Sequence, residues 1–381
     1  VEHAREPDPA RPRAKRVLVV LAGAFDPPGE RTPLCDAETP ALDRMARIGR
    51  CGVVDTGSRA PWDGFAALLG LAGGAAPSLG ACEALGEGFA VRQGESVYRA
   101  DFVTFGDAGL SDPFGGKIKD PEAAALLEAV AAAVPGARVR RLGGHRNVVA
   151  LPGAPEICPS PWEMFGRKSA AGLPADGPAR AFFEASAEAL AAHDVNEVRI
   201  DLRENPANAL WLFGGGPAAE TRPGGGAPAG GAILVGRGAA TAGLARVLGW
   251  ESSVVSGDDD VLAAAALAAV AAADLVVVRT ESVLDAAAVG GAEGKRDALS
   301  RADARLVAPL LSAVEEREAF VVAAAADAVF DSTTRVVSRG AAPFVVVGAG
   351  AGAGDAAFTE QACAAGGFHV GSGAEFAALF A

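Results

Sequence analysis

Short, unbroken apolar runs recur along this chain with helical patterns between them, and that alternation narrows the folds open to it more than any other feature. The runs fall at residues 17–21, 232–235, 275–278, 320–324 and 344–347, with helical patterns at 39–49, 239–248, 260–273 and 295–314. Continuous runs of Val, Leu and Ala, as opposed to runs alternating with polar residues, belong to strands buried on both faces. Such strands form parallel sheets whose crossovers are helices. The expectation is therefore an α/β protein built on a mainly parallel open sheet flanked by helices. In such sheets ligands collect beyond the carboxyl ends of the strands. After the first strand those positions hold Ala22, Gly23, Ala24, Phe25 and Asp26, with only one side chain suited to catalysis.

The second run, 51–54, adds a strand, and 56–70 reads as a loop entering a helix near Asp63, with Asp63 placed to cap it. From 80 to 189 the pattern changes to short strands at 96–105 and 148–151, a helix at 121–134, a Pro-rich stretch at 152–178 and a helix from 179. We read 80–189 as an inserted α+β cap, 15–79 with 190–381 as the core, and 1–14 as a mobile tail. Within 92–168 there are 10 Lys or Arg against 9 Asp or Glu, so this part is near neutral in a chain of net charge −13 and suits an anionic ligand better than the rest. The overall acidity excludes nucleic acid and anionic membrane as expected partners. Five cysteines without a C-x-x-C pair suit buried thiols in a reducing cytoplasm rather than a disulfide or zinc framework. The basic residues before position 17 imitate the start of a signal peptide, but the apolar run is short and reads better as a core strand.

Familiar site motifs are missing. The glycines at 348–354 fit no G-x-G-x-x-G frame, there is no P-loop, and no serine sits in G-x-S-x-G. Asp258, Asp259 and Asp260 precede a helix and read as caps. His193 has one partner at helical spacing, Glu197, too few for a metal motif, and reads as structural.

Several segments together carry a resemblance. They are Thr32-Pro33-Leu34, TPALDRMARIGRCG at 39–52, EALGEGF at 83–89, YRADFVTF at 98–105, NPANALWLFGGGP at 205–217, GAILVGRGAATAGLARVLG at 231–249 and EGKRDALSRADARLVAPLL at 293–311. In this order the chain resembles the cofactor-independent phosphoglycerate mutases of the archaeal type, within the alkaline phosphatase superfamily. The resemblance implies an alkaline-phosphatase-like core with an inserted cap. For active members it implies two divalent metals held by Asp and His, and a seryl nucleophile.

The departures from that pattern are systematic. The first-strand aspartate falls on Ala22, and the nucleophile's S-D-T loop on Pro61, Trp62 and Asp63. The D-E-A-G-H stretch falls on 284–288, so that its histidine is Ala288. In D-H-x-T-P Asp327 is kept but the histidine is Ala328, the last histidine falls near Val337, and an arginine of the family becomes Leu79. By this resemblance the chain is a noncatalytic homologue without a catalytic residue or resident cofactor. It would then act by binding a small phosphorylated acid, a protein partner or a second copy of itself. Its anion-binding candidates are Arg99, Arg146, Lys295, Arg59 and Lys117. The alternative is a divergent phosphoglycerate mutase or phosphatase that uses Asp327 with Asp26, Asp63 or Asp285 around Mn²⁺ or another divalent ion.

Overall fold

The first apolar run forms the middle of the molecule. In the computed structural model, which describes residues 14–58, 60–71, 76–221, 227–317, 319–338, 340–348 and 357–380, strand β1 (Lys15–Leu21) lies between two parallel neighbours. Arg59, the tail up to residue 13 and the glycines from 349 lie outside the described residues. Along the chain follow β2 (Arg50–Val54), β3 (Glu95–Gly106), β4 (Gly109–Asp112), β5 (Arg138–Gly143), β6 (Arg146–Pro152), β7 (Ala209–Gly216) and β8 (Ala232–Arg237). Then come β9 (Glu251–Val255), β10 (Leu275–Thr280), β11 (Phe320–Ala325), β12 (Val329–Asp331), β13 (Val336–Ser338), β14 (Ala342–Gly348) and β15 (His369–Val370).

The main sheet runs β15-β2-β14-β11-β1-β10-β8-β9. All neighbours are parallel except β11 with β14 and β14 with β2. Val17 to Leu21 are at most 2% exposed, because the sheet is covered on both faces. Each such side chain contributes about 1.5–3 kcal/mol by leaving water. The helices Pro40–Ile48, Asp259–Ala272 and Ala308–Glu315 pack on the sheet and on one another.

A second, antiparallel sheet has the order β4-β3-β6-β5, with β7 paired to the other side of β3. The sequence pattern assigns β7 to the core, with the insertion closing at 189. Its register, with Trp211 opposite Asp101 and Leu210 opposite Phe102, puts it in the second sheet. An apolar run reports burial but not which sheet supplies the partner.

Two helices join the sheets. Leu79–Gly86 crosses Gly238–Leu248 with their backbones in contact, and a Cβ at Gly86 would stand 2.0 Å from the Ala239 carbonyl, one at Gly243 1.8 Å from that of Cys82. The helix expected to begin at Asp63 starts two residues earlier, spanning Pro61–Leu68 with Ala60 as N-cap. Proline at its first position supplies the fixed φ that a helix start requires, so Asp63 lies exposed in the first turn and caps nothing. The element holding the helical pattern at 295–314, Ser282–Ala302, is broken at Gly291, where φ is 58 and ψ −143, and changes to a π turn over Asp303–Val307. His193 and Asp258 have the structural roles expected of them, each accepting backbone N–H groups at the start of a helix.

Candidate functional site

Where β1, β8, β10 and β11 end, the main sheet meets the second sheet, and the side chains between them are mostly charged. β10 is apolar until Arg279, which is buried and turned along the strand end. Its Nε and Nη2 donate to Asp327 Oδ2 at 3.2 and 2.9 Å, and its Nη1 donates to Glu281 Oε1 at 2.6 Å. The other oxygen of Asp327, Oδ1, accepts the Gly23 backbone N–H at 2.9 Å. That turn places Gly23 at φ +55, where glycine is unstrained.

The helix Pro61–Leu68 lies against the same point. A Cβ at Gly64 would stand 1.8 Å from the Asp327 carbonyl, so this glycine permits the approach. The Arg279 guanidinium stands 5.1 Å from the ring centroid of Phe65 and 5.6 Å from that of Trp62. The Trp62 indole N–H donates to the Pro77 carbonyl at 3.0 Å. Trp62, at the expected nucleophile position, is thus a buried lid on a buried cation.

The second sheet contributes Arg99 and Asp101 from β3, Arg146 from β6, and Glu83 from the helix Leu79–Gly86. Arg99 donates to Glu83 Oε1 at 2.6 Å and to Asp101 Oδ1 at 2.5 Å. Arg146 reaches across to Glu281 Oε2 at 3.3 Å, so Glu281 joins a cation from each sheet. Arg237, ending β8, donates to Asp259 Oδ1 at 2.9 Å. Arg99, Arg146, Arg237 and Arg279 line one recess with Glu83, Glu281, Trp62 and Leu79, and it is closed down to about 20 Å³, the space of one water.

Burial and pairing set the charges. Burial works against ionised Glu281, but Arg279, Arg146 and Arg99 outweigh it and hold its carboxyl well below the usual range. Burial also opposes the charge on Arg99, which Asp101 and Glu83 nevertheless hold firmly. Burial pushes Glu83 up to about 7, and Arg99 only partly offsets it. Its Oε2 is buried and accepts no hydrogen bond. Asp327 is raised to about 6 by burial against the opposing pull of Arg279 and Gly23. Asp285 is raised to about 6 by burial and the neighbouring Glu281 charge. His145 is lowered to about 4 by burial.

Beside this charged layer is an apolar one. Ala22, Leu284, Ala287, Ala328, Phe330 and Val337 pack together at 8% exposure or less, with Trp162 of the inserted part against them. Three of these, Ala22, Ala328 and Val337, lie at or near positions where the resemblance places an aspartate or histidine of the family pattern. The sequence alone gave no sign that they meet. Hydrocarbon side chains offer a divalent cation no lone pair, and the set does not fit one.

Of the carboxylates in the alternative reading, Asp26 accepts from Lys295 Nζ at 2.7 Å and from the Ser332 N–H and hydroxyl at 2.7 and 2.8 Å. Asp327 is held by Arg279, and Asp63 is exposed. Among the described residues no three His, Cys, Asp or Glu side chains are grouped to hold a metal. Lys295 is fully buried on Asp26, so it faces no anion from solvent. Lys117 is exposed on a separate recess of the inserted part with Lys119, Arg199 and Arg203. Among the described residues, Arg99 and Arg146 are the expected anion binders that reach the recess. Arg237, Arg279, Glu83 and Glu281 were not anticipated, although a lone arginine closing the run VVV at 276–278 was a visible signal.

Comparison with known proteins agrees with this architecture. Residues 67–196 match the family described as 2,3-bisphosphoglycerate-independent phosphoglycerate mutase. A protein of that name from Methanothrix thermoacetophila is 29% identical over 88% of this chain and 91% of its own. Another, from Methanopyrus kandleri, is 30% identical over 76% of each. Among solved structures, a Pyrococcus horikoshii protein aligns over 97% of this chain and 96% of its own with TM-score 0.64 at 19% identity. The cofactor-independent phosphoglycerate mutase of Thermoplasma acidophilum aligns over 96% and 98% with TM-score 0.52 at 23% identity. These two show the shared α/β fold. Among the described residues no helix is long and apolar enough to cross a membrane.

Proposed function

This chain belongs to the 2,3-bisphosphoglycerate-independent phosphoglycerate mutase family, and from that premise we propose that it is a noncatalytic member acting by binding a protein partner. The observation that carries the reading is the apolar cluster in which Ala22, Ala328 and Val337, at or near positions where the family pattern has an aspartate or histidine, pack with Leu284. Arg279 adds to it. A fixed guanidinium on Asp327 supplies the positive charge that this buried carboxylate needs, so the carboxylate is satisfied without a cation from solution. Pro61 and Trp62 put no hydroxyl at the nucleophile position.

A small phosphorylated acid fits this recess poorly. The four arginines already face Glu83, Asp101, Glu281, Asp327 and Asp259, and a phosphate would have to displace one of those carboxylates from a recess of about 20 Å³. The test is conversion of 3-phosphoglycerate to 2-phosphoglycerate by the purified chain with Mn²⁺. We expect a rate no higher than that of a mock preparation. Turnover that disappears in Asp327→Asn would overturn the reading in favour of a divergent metal-dependent enzyme.

A further inference from the structure

The main sheet has a second end, at the start of β1 and β10, away from the charged recess. There Arg16 is the register partner of Leu275, and Leu18 that of Val277, so these four side chains share one face of the sheet. The helix Pro61–Leu68 lies on the same face. Near its start Trp62 and Phe65 stand over Arg279, and at its other end Leu68 and Leu69 line a cavity together with Leu18 and Val277. The helix Gly373–Ala378 forms a further wall and packs closely on the first helix, since a Cβ at Gly373 would stand 2.1 Å from the Ala67 carbonyl.

The cavity between these elements measures about 590 Å³. Close-packed interiors leave few voids larger than a water molecule, whereas pockets that hold small ligands span about 300–1,000 Å³. Its floor is apolar, with Leu18, Leu68 and Val277 each at most 2% exposed. Its mouth carries Ala229, Ala374 and Ala378, exposed side chains too small to close it. Arg16 is the one charged side chain among the described lining residues. The neighbouring Lys15 is taken up by Asp274, with Nζ 3.5 Å from Oδ1, whereas Arg16 is half-buried and pairs with no carboxylate among the described residues. An apolar cavity with one unpaired cation in its wall selects a molecule that is apolar over most of its length and anionic at one end. The net charge of −13 sets the chain against an anionic membrane, so a free acid small enough to enter is the source that fits.

We propose that this cavity binds one short- to medium-chain aliphatic monocarboxylate, with the carboxylate on Arg16 and the chain held between β1, β10 and the helix Pro61–Leu68. The site is separate from the charged recess and stands whether or not the chain also binds a protein partner.

The test is calorimetric titration of the full, delipidated chain with sodium octanoate below its micellar range. We expect one saturable site per chain. Trp250 lines the cavity and its indole N–H has no acceptor, so Trp250→Phe removes no hydrogen bond. That variant should still bind octanoate but lose the fluorescence change that binding produces in the parent. Arg16→Gln should weaken octanoate about tenfold, through loss of a charge-assisted bond, and leave the affinity for uncharged 1-octanol as it was. Ala378→Trp, at the exposed mouth, should block both molecules, with Ala374→Trp as a second variant should the first fail to fold. Absence of saturable binding, or equal octanoate affinity in Arg16→Gln and the parent, would overturn the proposal. Sedimentation of the chain with phosphatidylglycerol vesicles, or a dimer that Leu69→Glu dissociates, would also overturn it, assigning this face to a membrane or to a second copy.

Discussion

Replacing Arg279 with methionine keeps the length of the side chain's apolar part and removes the cation that Asp327 and Glu281 share. Asp327 is fully buried, and its carboxyl stands at about 6 with the arginine present. Holding a carboxyl at about 6 instead of its ordinary 3.8 costs about 3 kcal/mol at neutral pH. Without Arg279 the acid stays protonated at pH 7, which raises that cost to about 4 kcal/mol, an increment of about 1 kcal/mol. Loss of the guanidinium from the Phe65 and Trp62 faces and from Glu281 adds about 2 kcal/mol. The expected loss is therefore about 3 kcal/mol at pH 7, measured by urea denaturation. At pH 5 Asp327 is protonated in both proteins, and the loss shrinks to about 2 kcal/mol. Adding Asp327→Asn removes the acid and should restore most of the stability, because deleting both partners of a buried pair is far milder than deleting one. A loss below about 1 kcal/mol at pH 7, or a double variant no more stable than the single one, would refute the reasoning.

Further outcomes follow from the same geometry. Asp327, Asp285 and Glu83 have raised carboxyls, so the stability they add is complete below their ordinary range and lost as pH rises through about 6 to 7. His145, lowered to about 4, acts in the opposite sense, losing its contribution as pH falls through 6.5. At roughly 1 kcal/mol or somewhat more per group the three outweigh the one, so the urea midpoint should rise from pH 7 to pH 5 and rise further in His145→Gln; a fall in both proteins would contradict these assignments. Ala328→Asp puts a carboxyl among Ala22, Leu284 and Phe330 and should cost at least about 3 kcal/mol, unrelieved by Mn²⁺; thermal melts with and without the ion decide it. Asp258→Ala removes the side chain that accepts the Asp260 and Val261 N–H groups and should lower stability by about 1 kcal/mol in denaturant titration.

Much of the core was legible because burial on both faces leaves an unmistakable run, as at 17–21 and 275–278. The partner of such a run was not, which is why β7 was placed with the core although it pairs with β3. Local chemistry was readable where it depends on neighbours in sequence: Asp258 and His193 are caps. It failed at Asp63, where Pro61 had already started the helix. The site was least legible. Lys295 looks like an anion binder in one dimension, yet Asp26, 269 residues away, neutralises it in three. The apolar residues at positions where the resemblance expects an aspartate or histidine could be counted along the chain, but their packing into one cluster, and the closing of the recess by Arg279, required the sheets to be brought together.

The central claim is that this family member has exchanged a metal-holding cleft for a charge-balanced, partly apolar joint. Calorimetric titration of the chelator-treated chain with Mn²⁺ at neutral pH tests it most directly. The account predicts no saturable heat at ion concentrations up to about 1 mM. A saturable isotherm with a dissociation constant of about 1 μM or below, abolished by Asp327→Asn, would contradict it.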